Sequence, residues 1–205
     1  MNYYIDFDGT LYDTAELKKQ MLTHIAKTCH NFNKNLRSGD IFLDVSCMFC
    51  KEKIYDIFEL CQYMAQKYNV KEELLTDGIN NLLNNGEQFV FKDSVKFLKK
   101  LKEEGHNVFL LTYCAQKNTN FQKQKVAGSK LSEYFDKIYI TKEPKYTLDI
   151  DYKNGIFIDD NPNDILGLFK TNPIEVIRIK RKANKYSELP LENISVKEVC
   201  ELNEL

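Results

Sequence analysis

Two acidic clusters, far apart in the chain, carry the side chains best suited to chemistry. Near the N-terminus, Ile5-Asp6-Phe7-Asp8-Gly9-Thr10 sets two carboxylates two residues apart, behind a short apolar run and in front of a glycine. If residues 3–7 form a buried strand, Asp6 lies at its C-terminal end and Asp8 in the turn that follows. Far downstream, Ile156-Phe157-Ile158-Asp159-Asp160-Asn161-Pro162-Asn163-Asp164 repeats the arrangement, an apolar run followed by acids. Open α/β sheets bind ligands in the crevice beyond such strand ends. Carboxylates crowded there repel one another, so the two clusters together point to one shared cation site. Aspartates also suit turns for purely structural reasons. The first pair alone would read either way, and the second cluster decides for chemistry.

These clusters need a scaffold, and apolar spacing supplies its outline. Leu17, Met21, Leu22, Ile25, Ala26 and Cys29 repeat at helical intervals, as do Ile54, Ile57, Phe58, Cys61, Met64, Ala65 and Tyr68. Leu74, Leu75, Ile79, Leu82 and Leu83 make a third amphipathic helix that stops at Asn84-Asn85-Gly86. Between them only residues 41–45 are ambiguous between strand and helix. Tyr55, Phe58 and Tyr63 sit at helical spacing and read as core.

After residue 89 the pattern changes. Asp93 is placed to cap a helix running through Lys102, with Val95, Phe97, Leu98 and Leu101 inward and Glu104-Gly105 closing it. Residues 107–112 read as a buried strand, 116–126 as a weaker helix, and 137–141 and 155–159 as further strands. A helix with Ile165, Leu166, Leu168 and Phe169 inward follows, then a last strand at 174–179. Strands alternating with helices imply a parallel sheet built from βαβ units. The simplest organisation is an α/β core of residues 1–12 and 90–205, interrupted by a helical insertion at 13–89. The insertion emerges beside the first acidic pair, where it is placed to act as a lid.

Composition narrows the function classes. A chain of 205 residues suffices for one sizeable core with an inserted subdomain. The net charge of −1 argues against a binder of nucleic-acid backbones, and Lys180-Arg181-Lys182 reads as a solvated surface run. No apolar segment approaches membrane-spanning length, and the N-terminus has no secretory pattern. The expectation is a cytoplasmic protein whose six cysteines are reduced. Cys47-Met48-Phe49-Cys50 is a lone C-x-x-C with Cys29, His30 and Cys61 nearby, and no second pair at zinc-ribbon spacing accompanies it. Buried or half-buried thiols are the expectation there. His24, His30 and His106 stand outside any catalytic motif. The phosphate-loop and dinucleotide-binding glycine patterns are both absent from the sequence.

Four pieces now line up in order: Asp6-Phe7-Asp8-Gly9-Thr10, then Thr112 ending a strand, then Lys145 or Lys142 after the next, then Asp159-Asp160 with Asp164. In this the chain resembles the haloacid dehalogenase-like (HAD) superfamily, in particular the subfamily with an α-helical cap inserted after the first motif. The resemblance implies a Rossmann-like parallel sheet core with a helical cap, and a Mg²⁺-dependent phosphatase acting on a small phosphorylated metabolite. It implies that Asp6 is the nucleophile that forms an aspartyl-phosphate, and that Asp8 is general acid and then base. The implied metal ligands are an Asp6 carboxylate oxygen, the Asp8 backbone carbonyl and Asp160. Asp159, where glycine is common, becomes a supporting group or a further ligand, and Asp164 a group that orients the others. Thr112 and Lys145, favoured over Lys142 because Pro144 breaks the strand before it, would bind the phosphoryl group. Tyr113 departs from the small or amide residue common at its place. Asp8 argues against carbon–halogen chemistry, since dehalogenases of this superfamily lack that second aspartate. A phosphotransferase or phosphomutase would use the same residues, and a non-catalytic binding protein of the same fold is the reading from another class.

Overall fold

The computed structural model describes the whole chain except residues 36, 52–55, 115–118, 173, 183 and 192–193, with the backbone alone at 50 and 51. The chain divides into two compact units, Met1–Ala15 with Gly86–Leu205, and Glu16–Asn85.

The first unit is built on one parallel sheet. Its strands are β1 (Asn2–Ile5), β2 (Asn107–Tyr113), β3 (Lys137–Thr141), β4 (Gly155–Asp159), β5 (Glu175–Ile179) and β6 (Lys197–Val199), in the order β3-β2-β1-β4-β5-β6. This is the doubly wound Rossmann order, in which the chain reverses direction across the sheet beside β1. β1 pairs with β2 on one side and β4 on the other, with Ile5 level with both Leu110 and Ile158. The residues just past β1 and β4 therefore emerge side by side at the switch point. Asp6 continues the pairing by donating its backbone N–H to the Ile158 carbonyl at 2.9 Å.

Side-chain alternation sorts the flanking helices. Tyr3 meets Phe97 of α5 (Lys92–Glu103) edge-on, with ring centroids 6.4 Å apart. Tyr4 points to the opposite face and joins a cluster with Phe157, Tyr152, Ile165 and Leu168, the last two from α7 (Pro162–Thr171). Helices thus cover both faces, as a buried parallel sheet requires. α6 (Thr119–Gly128) packs beside β3. Its predicted start at 116 lies outside the described residues.

Several expectations are corrected here. Phe169 is exposed, whereas Ile165 and Leu168 of the same helix join the core against the sheet. β6 was not foreseen, since three residues carry too little pattern. Asp93 is no cap: α5 begins at Lys92 with Phe91 at its N-cap, and Asp93 is buried one residue inside. Nor is Lys180-Arg181-Lys182 wholly solvated. Arg181 is buried and makes a two-pronged pair with Asp93, Nη1 to Oδ2 at 2.7 Å and Nη2 to Oδ1 at 2.9 Å. The same guanidinium donates to the Thr10 carbonyl from Nε at 3.2 Å and Nη2 at 2.9 Å. Asp93 also accepts the Leu202 backbone N–H at 2.7 Å. One buried ion pair thus ties the loop after β1 to the C-terminal segment.

The second unit is helical: most of α1 (Thr14–Phe32), then α2 (Ser38–Lys51), α3 (Ile57–Tyr68) and α4 (Glu72–Asn84). The ambiguous stretch 41–45 is helical, with Ile41 and Val45 buried on one side of α2. Asp56 caps α3 by accepting the Phe58 and Glu59 amides at 2.8 and 3.2 Å, and Asn69 ends it in the left-handed conformation at φ 52°. A Cβ on Gly78 would collide with the His24 ring, so the glycine in α4 leaves room for that side chain of α1. Cys29 and Cys61 are buried as expected, and burial pushes their thiols up to about 11 and 12, whereas Cys47 of the C-x-x-C is exposed, against expectation. Tyr63 and Leu74 are exposed rather than core, and Tyr55 lies outside the described residues. No helix among the described residues is long and apolar enough to cross a membrane.

The Asp93–Arg181 pair generates a stability prediction. Removing one partner of a buried pair leaves the other charge uncompensated, typically costing about 3–5 kcal/mol. Asp93→Ala should lower the unfolding free energy by that order in urea denaturation. A loss under about 1 kcal/mol, the size of an exposed surface pair, would contradict the role given to it.

Candidate active site

The loop after β1 is a compact turn. The Leu11 and Tyr12 amides both donate to the Phe7 carbonyl at 3.0 Å, and the Gly9 amide donates to the Tyr12 carbonyl at 2.8 Å. Phe7 and Tyr12 stack beneath it, with centroids 4.7 Å apart. Gly9 has φ +82°, and a Cβ there would strike the Asp160 carboxylate and the Asn184 amide. Glycine is required twice over, for the left-handed backbone and for close approach to the second acidic cluster.

The two clusters meet. Asp6, Asp159 and Asp160 are all buried, and each offers a carboxylate oxygen within 4.8 Å of the others. Lys145, also buried, reaches in from the short 3₁₀ turn Lys145–Thr147 after β3. Its Nζ lies 2.5 Å from Asp6 Oδ1, 2.6 Å from Asp159 Oδ2 and 3.9 Å from Asp164 Oδ2. Lys142 is exposed. Asp159 is doubly engaged, since its Oδ1 accepts the Asn161 backbone N–H at 2.8 Å. Asp164 accepts the Asn161 side-chain amide at 2.9 Å and the Lys145 backbone N–H at 3.4 Å. Tyr152 steadies the same turn by donating to the Lys145 carbonyl at 2.8 Å. Asp160 accepts from Asn184, which also donates to the Gly9 carbonyl at 3.3 Å.

Asp8 points elsewhere. Lys125 and Thr14 both donate to its Oδ1, and Gln122 Nε2 donates to its Oδ2 at 2.6 Å. Gln122 also donates to the Thr112 hydroxyl at 2.8 Å, which links the end of β2 to Asp8. The neighbouring Tyr113 is exposed.

Burial and charge split these acids into two kinds. Asp6 is pushed up to about 8, chiefly by desolvation and further by Asp159 and Asp8, with Lys145 opposing. Asp159 and Asp160 are each pushed up to about 7, again chiefly by burial. Burial would also raise Asp8, but the Lys125 charge and the hydrogen bonds from Lys125, Thr14 and Gln122 outweigh it and hold Asp8 below the ordinary carboxylate range. Around Asp6, four carboxylates (Asp6, Asp159, Asp160 and Asp164) face one ammonium. That imbalance, with oxygen donors throughout, fits a hard divalent cation such as Mg²⁺. No cysteine among the described residues joins such a group, and the Cys50 side chain lies outside them.

The acidic clusters and the family resemblance together named Asp6, Asp8, Thr112, Lys145, Asp159, Asp160 and Asp164, and the fold brings all seven to the same strand ends. It did not name Gln122, Lys125, Asn161 or Asn184. Gln122 and Lys125 are three apart on α6, one helical turn, but a polar residue on a weakly patterned helix gives no sign of which way it faces.

Comparison with known proteins identifies the family and the fold. Residues 4–172 match the family described as haloacid dehalogenase-like hydrolase. A HAD phosphatase from Thermococcus onnurineus superposes with TM-score 0.62 at 17% identity, covering 99% of this chain and 94% of that one. A haloacid dehalogenase-like hydrolase from Burkholderia xenovorans gives 0.68 at 14%, with 99% and 95% covered. The magnesium-bound YfnB of Bacillus subtilis, a HAD-hydrolase, gives 0.60 at 13%, also with 99% and 95% covered. No curated protein matches the chain.

The raised acids predict an unusual pH response. Asp6, Asp159 and Asp160 keep protons in the folded chain at pH values where the unfolded chain has lost them. Between about pH 4 and 8 the folded state therefore binds more protons, and stability falls as pH rises. The depressed Asp8 acts below that window, where its contribution is lost as pH falls. In chelator, the thermal midpoint should drop from pH 5 to pH 8, and added Mg²⁺ should raise it more at pH 8 than at pH 6. A midpoint that climbs over this range, or an equal Mg²⁺ response at both pH values, would contradict the assignment.

Proposed function

Because the chain belongs to the haloacid dehalogenase-like hydrolases, we propose that it is a Mg²⁺-dependent phosphatase that hydrolyses a small phosphomonoester through an aspartyl-phosphate on Asp6. One observation carries this reading: the Asp6 carboxylate at the switch point, held by Lys145 among further acids, with a second carboxyl on Asp8 fastened separately.

In this reading Asp6, the Asp8 backbone carbonyl and Asp160 hold the magnesium ion. When bound, the ion supplies charge that lets an anionic nucleophile approach an anionic phosphoryl group. Asp159 anchors Lys145 through Oδ2, and its Oδ1 accepts the Asn161 backbone N–H. Asp164 fixes the turn that presents the lysine.

An Asp6 oxygen attacks phosphorus, and the bond to the leaving oxygen breaks as that oxygen takes a proton from the Asp8 carboxyl. Lys145 balances charge on Asp6 and on the phosphoryl oxygens, and the Thr112 hydroxyl donates to one of those oxygens. In the second half Asp8, now a carboxylate, takes a proton from water as that water attacks the aspartyl-phosphate and frees Asp6. The helical insertion at 13–89 leaves the core directly after the Asp8 loop. It serves in this reading as the cap that limits water and selects substrate.

Asp6→Asn should abolish turnover of 4-nitrophenyl phosphate, with the far-ultraviolet circular dichroism spectrum unchanged. In the native protein Mg²⁺ should be required and inorganic phosphate released, even with a sugar acceptor in excess. Retained turnover in Asp6→Asn would end the assignment of Asp6 as nucleophile.

A further inference from the structure

The proposed chemistry asks two things of Asp8, and α6 meets it with a clamp. Lys125 and Gln122 lie one turn apart on that helix, and each takes a different oxygen of the Asp8 carboxylate. Both side chains are buried, and the Asp8 carboxylate they meet is half-buried. The ammonium sits over the rings of Phe121 and Phe7, with centroids 5.6 and 5.8 Å away, which limits where the lysine can go. Gln122 spans from Asp8 to the Thr112 hydroxyl, so one amide sets the spacing between the proposed proton donor and a proposed phosphoryl-binding group.

A purely structural ion pair has no need of this arrangement. A buried lysine paired with an acid stabilises little beyond what an apolar pair would. Here both oxygens of one short carboxylate accept from α6, with Thr14 of α1 donating to Oδ1 as well, while Lys145 and the other acids are held by different elements.

We propose that Lys125, with Gln122, positions Asp8 as the proton donor to the leaving group. The inference rests on the phosphatase reading above and deepens it. Asp8 is a carboxylate in the contacts the structure holds, and it carries a proton into this step only after taking one from water; as the bond from phosphorus to the leaving oxygen breaks, that proton passes from Asp8 to the leaving oxygen. The Asp8 carboxylate left behind is received by the Lys125 ammonium and the Gln122 amide, in the contacts the structure holds. Charge that develops during the step thus meets donors already in place. Lys125 is a positioning residue, since it touches Asp8 and not the reacting phosphorus.

The test uses leaving groups of different need. 4-Nitrophenolate departs as a stable anion and needs little help, whereas the alkoxide of 2-phenylethyl phosphate needs a proton. kcat/KM reports events up to the first irreversible step, which includes departure of the alcohol. General acid catalysis contributes about 10²–10⁴-fold. Lys125→Met should therefore lower kcat/KM for 2-phenylethyl phosphate at least about tenfold further than for 4-nitrophenyl phosphate, and Lys125→Arg should recover much of the difference. Should Lys125→Met fail to fold by circular dichroism, Gln122→Met is read in the same way. Parallel losses on both esters would overturn the positioning role while leaving the phosphatase reading intact. A native protein that hydrolyses neither ester with Mg²⁺ would overturn the phosphatase reading, and this inference with it.

Discussion

One buried ammonium set among several carboxylates governs this molecule. Lys145 lies against Asp6 and Asp159 with Asp164 close by, and Asp160 completes an acidic set that a single positive charge cannot balance. Water cannot screen the excess, because all of these side chains are buried. Such a cluster is stable only if protons or a cation make up the deficit. The elevated positions of Asp6, Asp159 and Asp160 express the first solution, and the convergent oxygen donors prepare the second.

The sheet is what makes this crowding possible. β1 and β4 are neighbours, level with one another, although more than 150 residues separate them. Their parallel pairing delivers the two acidic loops to one place. The walls around them are tied by specific bonds: Arg181, paired with Asp93, donates to the Thr10 carbonyl, and Asn184 joins Gly9 to Asp160. Gly9 marks how little room remains. The cluster is thus paired with a rigid surround, as preorganised charge requires.

Much of this was legible in the chain. The strands β1, β2, β3, β4 and β5 announce themselves by apolar runs, and the acids and Thr112 sit at their ends, where side chains must gather. The lysine was harder, and it was the proline at 144 that separated Lys145 from Lys142. What stayed hidden shares a physical reason. Gln122, Lys125 and Asn184 come from a weakly patterned helix and a loop, and nothing local says which way a polar side chain turns. Arg181 sat in a run of basic residues that read as solvated, yet its partner Asp93 lies 88 residues away and is itself disguised as a helix cap. A long-range pair leaves no mark in local periodicity. The helical stretch 41–45 was ambiguous for the opposite reason, because short apolar runs suit either structure.

The two kinds of acid also separate two tasks. Asp6 lies deep beside Lys145, while Asp8 is tethered to α6 and answers to other donors. Neighbouring carboxyl groups in distinct surroundings are how one site can hold a nucleophile and a proton carrier together. Trapping the phosphoenzyme tests this account most directly: acid quench during turnover of a ³²P-labelled ester, borohydride reduction, and peptide mapping. The account predicts label and reductive cleavage confined to the peptide carrying Asp6. Turnover with no labelled protein, or label on any other residue, would contradict it.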